Sequence, residues 1–497
     1  MAESHRLWPV AAAEFGRKLC CLGKLAAFFG LGKRADGLWR QIAYLGHGGR
    51  PFIRVTTRNL RKGPGLGKPQ IRQSHRNAGA GKPPPDAARK GALRLIAGVR
   101  DGLSLSDQPS ALARLTPPER ARAQRLALAV LRNIDRADTL LVQHLSKKPR
   151  PDVLDVLRLG TVELLEMGEA PHGAVNAAVG LVQTMGPKGR AASGMVNAVL
   201  RKIAGQSAEW TDLPPEEMPD WLREPVTNAW GSEVTLAIEA AHQAGAPVDF
   251  TAKPGSAAPG EALPTGSFRL RDTAQITALP GYAEGDWWVQ DAAAAMAVRL
   301  LDPKPGEHIV DLCAAPGGKT LQLAAAGAQV TAVDISDARL ARLRENLQRC
   351  GLNAQVVTAD ALEWHPAQQP DAILLDAPCS ATGTIRRHPD LPLIRDGSAL
   401  DGLTALQAAL IDHALTILKP GGRLVFATCS LLQAEGEDQL ALALERHPDL
   451  TVIQPPADLQ DWTTPEGGLR LRPDYWPDRG GMDGFFIACL QKPEASR

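Results

Sequence analysis

The second half of the chain alternates short apolar segments with helical patterns. Apolar runs typical of strands lie at residues 308–314, 329–334, 355–360, 372–377, 422–430 and 484–490. Amphipathic patterns at residues 337–350 and 403–418 predict helices between them. This alternation predicts a doubly wound, mainly parallel sheet. Ligands of such sheets bind at the carboxyl ends of the strands, so we expect functional residues there.

The part of the chain before this alternation has a different pattern. Residues 86–210 repeat apolar positions at helical spacing, as at Leu95, Ile96 and Val99, without a convincing strand-like run. This region is predicted to be an all-α bundle. Residues 211–290 are mixed and contain Pro-rich turns, which predicts a small α+β linker domain. Residues 291–497 then form the α/β domain.

Charge is distributed unevenly along the chain. Residues 1–85 hold 16 Lys and Arg against 3 Asp and Glu, residues 86–210 hold 18 against 12, and residues 211–497 hold 22 against 39. Because residues 1–210 (the front of the chain) are basic and residues 211–497 are acidic, we expect a polyanion to bind mainly to the front. The alternative is that the acidic surface only aids solubility. The Gly, Pro, Lys and Arg content of residues 1–85 predicts a disordered basic extension.

The cysteines and the hydropathy exclude several classes of protein. The seven cysteines are scattered, without the spacing of a disulfide framework or of paired zinc ligands. No apolar run reaches the roughly 18 residues that a membrane span needs. We therefore expect a cytoplasmic protein with free thiols, no metal site and no membrane association. A monomer is the default expectation.

A glycine-rich turn, DLCAAPGGKT, follows the first strand of the alternating region, and acids end the next three strands. The turn is neither a Walker A loop nor a GxGxxG motif, which argues against a nucleotide phosphate. Small residues and carboxylates suit a ribose, an adenine and a cationic centre, which is the chemistry of S-adenosyl-L-methionine. The alternative is that the acids only cap helices. The predicted cofactor residues are Cys313, Ala314, Ala315, Pro316, Gly317, Gly318, Lys319, Asp334, Asp360 and Asp376.

Two cysteines end neighbouring strands and point to chemistry at a pyrimidine ring. Cys379 lies in DAPCS after the fourth strand, and Cys429 lies in ATCS after the fifth. Carbon 5 of cytosine becomes nucleophilic when a thiolate adds to carbon 6 while an acid supports nitrogen 3. Cys429, Cys379 and Asp376 supply a thiolate, a second group and that acid, and Lys319 is a cation able to promote ionisation of the nucleophile. The alternative is a pair of structural thiols.

Several of these motifs are similar to those of a known protein family. DLCAAPGGKT, VDIS, LLDAPCSATGTIRRHPD, ATCS and DGFF resemble those of the bacterial 16S ribosomal RNA cytosine-5 methyltransferases of the RsmB (Sun/Fmu) type. AVNAAVGLV and MVNAVLRKI in the helical region resemble the NusB-like RNA-binding domain that these proteins carry at the front. The resemblance covers residues 87–497. It implies a NusB-like bundle, a linker domain and a Rossmann-like methyltransferase domain.

The resemblance also implies roles for individual residues. Cys429 is expected to be the nucleophile, Cys379 to assist product release, and Asp376 to contact both the target base and the cofactor region. The cofactor contacts of the family carry over to residues 313–319 and to Asp334, Asp360 and Asp376. The sequence departs from the family after ATCS, where residues 433–437 replace the usual Pro-Glu-Glu-Asn.

Basic side chains are the predicted contacts to the RNA, and the alternative for those on the helices is a solvated face. The substrate expected from the resemblance is 16S ribosomal RNA or a small-subunit assembly intermediate. Transfer RNA, another ribosomal cytosine, a non-catalytic NusB-like assembly factor and a methyltransferase for proteins or small molecules are the alternatives. The predicted RNA-binding residues are Arg120, Arg122, Arg125, Lys147, Lys148 and Arg150 in the front, and Arg386 and Arg387 after the DAPCS motif.

Overall fold

A computed structural model describes residues 87–271 and 275–495. The basic extension predicted for residues 1–85 lies outside the described residues. The described part of the chain starts with a run of helices: α1 Ala87–Arg100, α2 Pro117–Leu131, α3 Ile134–Val142, α4 Pro151–Leu165, α5 Pro171–Gln183, α6 Gly186–Ile203, α7 Ser207–Asp212 and α8 Asp220–Ala244.

The start of α2 illustrates how the sequence sets these helices. Thr116 precedes Pro117, and the Thr116 backbone N–H donates to the Glu119 carboxylate at 2.9 Å in a capping box. On α2, the apolar side chains of Leu126 and Val130 are fully buried in a core that α2 shares with α1 and with α3 to α7. The predicted helical bundle is confirmed, and helix continues through α8 beyond residue 210.

A small antiparallel sheet follows α8. Its strands are β1 Val248–Ala252, β2 Glu261–Ala262, β3 Phe268–Leu270 and β4 Trp287–Val289, in the order β2-β3-β1-β4. Asp249 of β1 accepts two hydrogen bonds from Arg269 of β3 at 2.7 Å each, and both side chains are fully buried. A buried bidentate pair of this kind helps to fix the register of these two short strands.

The remaining elements form the α/β domain. Its helices are α9 Ala292–Leu301, α10 Gly318–Ala325, α11 Asp337–Cys350, α12 Leu391–Ile394, α13 Leu400–Ile417 and α14 Glu437–Arg446. Its strands are β5 His308–Leu312, β6 Gln329–Asp334, β7 Gln355–Thr358, β8 Ala372–Asp376, β9 Arg423–Thr428, β10 Thr451–Ile453, β11 Leu469–Leu471 and β12 Phe485–Gln491.

The large sheet has the order β10-β12-β9-β8-β5-β6-β7, with β11 paired to β12. Strands β5 to β9 run parallel to one another. Strand β12 runs antiparallel to both β9 and β10. Helix α9 packs against β8, β9 and β12, and α13 lies on the other face against β8 and β9. The predicted doubly wound sheet is confirmed, and its last strand reverses direction.

The carboxyl ends of the parallel strands meet at one edge. Leu312 of β5 pairs with Val333 of β6 and with Leu375 of β8, and Asp376 of β8 pairs with Ala427 of β9. The residues that follow these positions are therefore neighbours, although they are far apart in sequence.

None of the helices within residues 87–271 and 275–495 is both long and apolar enough to cross a lipid bilayer. Over the same residues, no group of three or more His, Cys, Asp or Glu side chains is arranged to hold a metal ion.

Candidate active site

The glycine-rich turn joins β5 to α10 at the carboxyl edge of the sheet. Gly317 has φ 107°, and a Cβ atom there would lie 2.3 Å from Cδ1 of Leu343. Only glycine fits this position, because both the backbone conformation and the close approach of α11 exclude a side chain. Helix α10 begins at the next residue, so its first backbone N–H groups open at the sheet edge.

Asp334 at the end of β6 is tied to this turn. Its carboxylate accepts the N–H of Ala315 at 3.0 Å and the N–H of Ser336 at 2.9 Å, and the residue is only 3% exposed. Each carboxylate oxygen keeps a further lone pair for a hydroxyl donor. The predicted cofactor residues of the turn and of β6 are therefore brought together.

The other two predicted acids lie in different environments. Asp360 is exposed, and one of its oxygens accepts the N–H of Leu362 at 2.9 Å, as in a helix cap. Asp376 at the end of β8 is 31% exposed and accepts a hydrogen bond from Nζ of Lys319 at 2.7 Å. Asp376 is therefore linked to the glycine-rich turn through Lys319. Asp360 lies at the exposed margin of the site.

Lys319 reaches from α10 across the strand ends. Its Nζ lies 5.2 Å from the ring centroid of Phe485. Burial by itself would lower the pKa of Lys319, but the charge and hydrogen bond of Asp376 outweigh burial and raise it, with a further contribution from a negative charge at Cys429. Lys319 is thus a fixed cation beside the second cysteine.

The two predicted catalytic cysteines are in contact. Sγ of Cys379 lies 3.4 Å from Sγ of Cys429, and Cys379 is the more buried of the two. The hydrogen bond to Cys429, burial and the negative charges of Cys429 and Glu435 raise the pKa of Cys379 well above its ordinary value. Cys379 therefore retains its proton, and its S–H is available to donate to Cys429.

Asp311 is a residue that the sequence analysis missed. It lies on β5 under the turn, is fully buried, and accepts a hydrogen bond from Oγ1 of Thr320 at 2.5 Å. Burial raises the pKa of Asp311 to about 7, although the hydrogen bond from Thr320 acts in the opposite direction. The signal was present in the sequence, because this acid opens the glycine-rich motif.

The donor set fits S-adenosyl-L-methionine. The small turn at Ala315–Gly318 lets a ligand approach backbone N–H groups, and Asp334 and Asp360 offer carboxylate oxygens to hydroxyl and amine donors. Asp376, paired with Lys319, lies at the same strand edge. Asp334, Asp360 and the turn are the groups that would hold this cofactor.

Comparison with known proteins agrees with the cofactor chemistry of this site. The family model described as 16S rRNA methyltransferase RsmB/F matches residues 298–491, and the NusB family model matches residues 86–205. The ribosomal RNA small subunit methyltransferase B of Vibrio cholerae serotype O1 is 36% identical over 421 residues, which are 79% of this chain and 94% of the relative. The chain belongs to the 16S rRNA methyltransferase RsmB/F family.

Further similarities extend over the same region. The relative of the same name from Serratia proteamaculans is 36% identical over 437 residues, covering 80% of this chain and 98% of the relative. The crystal structure of PH0851 has a TM-score of 0.60 at 23% identity and covers 81% of this chain and 98% of that one, which bears on the fold alone. As a member of the RsmB/F family, the protein is an S-adenosylmethionine-dependent methyltransferase.

The structure corrects the RNA-guiding role predicted for Arg386 in this RsmB/F-family enzyme. The side chain of Arg386 is fully buried, donates to Oδ1 of Asp483 at 3.3 Å and donates to the carbonyl of Gly480 at 2.6 Å. Arg387 is also engaged, since it pairs with Asp291 and donates to Asp483 at 2.9 Å. Both side chains hold the loop after DAPCS to the start of α9 and to the DGFF motif.

The predicted basic residues of the helical region differ among themselves. Arg122 is paired with Glu169 at 3.1 Å and is partly buried. The others, Arg120, Arg125, Lys147, Lys148 and Arg150, are exposed. Of these, Arg150 forms an ion pair with Asp152 at 2.6 Å. Arg120, Arg125, Lys147 and Lys148 are therefore the predicted positions whose charges remain available for phosphate contacts.

Proposed function

We propose that the protein methylates carbon 5 of a cytosine in 16S ribosomal RNA, with Cys429 as the nucleophile. The observation that carries the proposal is the contact between two cysteine sulfurs, 3.4 Å apart, at the same strand edge as the Lys319–Asp376 pair and the glycine-rich turn. The small-subunit ribosomal RNA named for the relatives supports the choice of substrate.

In the proposed reaction, Cys429 attacks carbon 6 of the cytosine as a thiolate. Lys319 supports ionisation of Cys429, because a fixed cation lowers the cost of a nearby negative charge. Asp376 holds Nζ of Lys319 at 2.7 Å at this strand end, and we assign the pair to nitrogen 3 of the ring, with the ammonium as the hydrogen-bond donor when electron density grows there. S-adenosylmethionine, when bound, supplies the methyl group that carbon 5 receives.

Release of the product requires the sulfur–carbon bond to break. A base takes the proton from carbon 5, the double bond between carbons 5 and 6 forms again, and Cys429 leaves as a thiolate. Cys379, which keeps its proton, donates its S–H to the departing sulfur over 3.4 Å. The two thiols therefore have different roles in the proposed reaction.

The helical region is assigned to RNA binding in this proposal. Its match to the NusB family and its exposed Lys147 and Lys148 support residues 86–210 as the part that grips the RNA. The substrate is 16S ribosomal RNA alone or within an assembling small subunit. The free thiols of the active site and this substrate favour a cytoplasmic protein.

The experiment that tests the function is methyl transfer to unmethylated 16S ribosomal RNA. Labelled cofactor and the purified full chain should give 5-methylcytosine at one position, located by mass spectrometry of RNA fragments. Transfer RNA and protein serve as competing substrates. Label on transfer RNA alone, or on protein, would replace the proposed substrate.

We predict that Asp334→Ala weakens binding of S-adenosylmethionine by about 1–3 kcal/mol, the scale for losing charge-assisted hydrogen bonds. The carboxylate also orders the turn through the N–H of Ala315, so both effects act in the same direction. Calorimetry measures the affinity. Asp337→Ala removes an exposed acid three residues later and should leave the affinity unchanged. Equal affinities for Asp334→Ala and the unaltered protein would refute this placement of the cofactor.

We also predict that the double substitution Lys147→Ala and Lys148→Ala weakens RNA binding. Each lost phosphate contact should flatten the slope of log affinity against log salt by about 0.7–0.9. Filter binding at several salt concentrations measures this slope. Lys188→Ala with Arg190→Ala removes two exposed charges from the same region and serves as the matched control. If both double variants flatten the slope equally, the two lysines have no special role.

A further inference from the structure

Glu435 is a fully buried carboxylate close to the two cysteines. It ends a short 3-10 helix, Gln433–Glu435, that follows the strand bearing Cys429. Its oxygens accept the backbone N–H of Ser380 at 2.8 Å and the hydroxyl of Ser430 at 2.6 Å. They also accept the hydroxyl of Ser380 and the amide of Gln407, the latter at 3.1 Å.

The donors to Glu435 have a specific place in the chain. Ser380 follows Cys379 directly, and Ser430 follows Cys429 directly. One carboxylate therefore binds the residue after each of the two thiols. The hydroxyls of Ser380 and Ser430 also lie 3.2 Å from each other, and each lies 3.2 Å from the hydroxyl of Thr382.

Burying a carboxylate is costly, and hydrogen bonds from neutral donors repay that cost only in part. An apolar side chain would fill the same space with less loss of hydration, so stability alone does not explain an acid here. A carboxylate differs from every neutral side chain in accepting hydrogen bonds at both oxygens without donating any. That property is what two serine hydroxyls on separate loops require.

We propose that Glu435 is a positioning residue that holds the Cys379 loop and the Cys429 loop in one arrangement. It sets the distance between the two sulfurs, so that the S–H of Cys379 stays within hydrogen-bond distance of Cys429 throughout the reaction. This inference rests on the proposed function, because it assigns those roles to the cysteines.

Other links between the loops make the inference testable. The N–H of Gly383 donates to the carbonyl of Cys429 at 3.0 Å, and the N–H of Leu431 donates to the hydroxyl of Thr382 at 2.9 Å. These bonds do not involve the carboxylate, so the loops should remain folded when it is replaced. The effect expected on substitution is therefore a shift of the sulfurs rather than loss of the domain.

The test follows formation and decay of the covalent RNA adduct in single-turnover reactions. Glu435→Gln keeps the shape but turns one acceptor into a donor, and it should slow turnover about 100-fold, the scale for a misplaced reacting group. KM for RNA should stay unchanged. Ser430→Ala should slow adduct formation, whereas Ser380→Ala should leave formation intact and slow the decay of the adduct.

The control is Glu239→Gln, which alters a carboxylate of 1% exposure that accepts the N–H of Met218 at 2.9 Å outside this site. It should reduce thermal stability without changing the ratio of adduct to product. Cofactor affinity reports folding of every variant. If Glu435→Gln does not fold, the two serine variants carry the test.

Two failures are distinguishable. If the unaltered protein forms no adduct through Cys429, the proposed function fails. If it does, and the Glu435 and serine variants with normal cofactor affinity lose stability but keep the normal ratio of adduct to product, Glu435 is only structural and the inference is overturned.

Discussion

Cys429→Ala is expected to abolish methyl transfer and to yield no covalent complex with RNA. Removing the nucleophile from a covalent mechanism costs on the order of 10⁴- to 10⁶-fold in turnover. Lys319 cannot substitute, because Asp376 holds it as a cation, and burial together with the charge of Glu435 still raises the pKa of Cys379 once Cys429 is gone. Labelled cofactor and 16S ribosomal RNA measure the remaining rate.

The matched control for this variant is Cys489→Ala. Cys489 is a fully buried thiol on β12, in the same domain, and burial raises its pKa to about 12. Its loss should cost some stability and leave turnover near normal. Normal turnover by both Cys429→Ala and Cys379→Ala would instead mean that both thiols of the pair are structural.

Cys379→Ala is expected to fail at a later stage. Attack by Cys429 and methylation still occur, but the departing sulfur loses the hydrogen-bond donor that lies 3.4 Å from it. The protein should therefore accumulate attached to RNA and survive denaturing electrophoresis as a complex. Gel mobility with labelled RNA measures the fraction trapped.

The double variant Cys379→Ala with Cys429→Ala should remove the trapped complex. The reverse pattern, with adducts from Cys429→Ala and none from Cys379→Ala, would make Cys379 the nucleophile. The contrast between the single variants therefore decides the roles independently of any change in stability.

Local patterns in the sequence were sufficient to predict much of the α/β domain. The strand at Gln329–Asp334 and the helix at Asp337–Cys350 have the predicted bounds. Each depends on nearby residues, namely an apolar run that ends in an acid and an amphipathic helix that ends before a glycine. Four of the other strands are shorter than predicted by one to three residues, and the last, Phe485–Gln491, has the predicted length but is shifted by one residue.

The direction of β12 and the burial of Arg386 depend on contacts distant in sequence. An apolar run does not reveal whether a strand runs parallel or antiparallel to its neighbour. Two consecutive arginines beside a catalytic motif look like phosphate contacts, but their partners Asp291 and Asp483 lie 96 residues away from Arg387 on either side. Folding brings these charges together, so local charge was misleading.

The hydrogen-bond network of Glu435 could not be predicted from the sequence, because it also depends on contacts between residues distant in sequence. The motifs assign chemistry to Cys379 and Cys429, but they assign no separate role to Ser380 and Ser430, which follow them directly. Their shared acceptor becomes visible when β8 and β9 are paired in register. Residues that act through a neighbour rather than on the substrate leave little local signal.

The central claim, that Cys429 bonds to the cytosine ring, is tested most directly by the adduct that Cys379→Ala traps. Trypsin releases residues 424–446, in which Cys429 is the only cysteine. Nuclease and protease digestion followed by tandem mass spectrometry should find this peptide carrying a methylated cytidine nucleotide on Cys429. Attachment to any other residue, or a trapped complex in which this peptide is unmodified, would contradict the account.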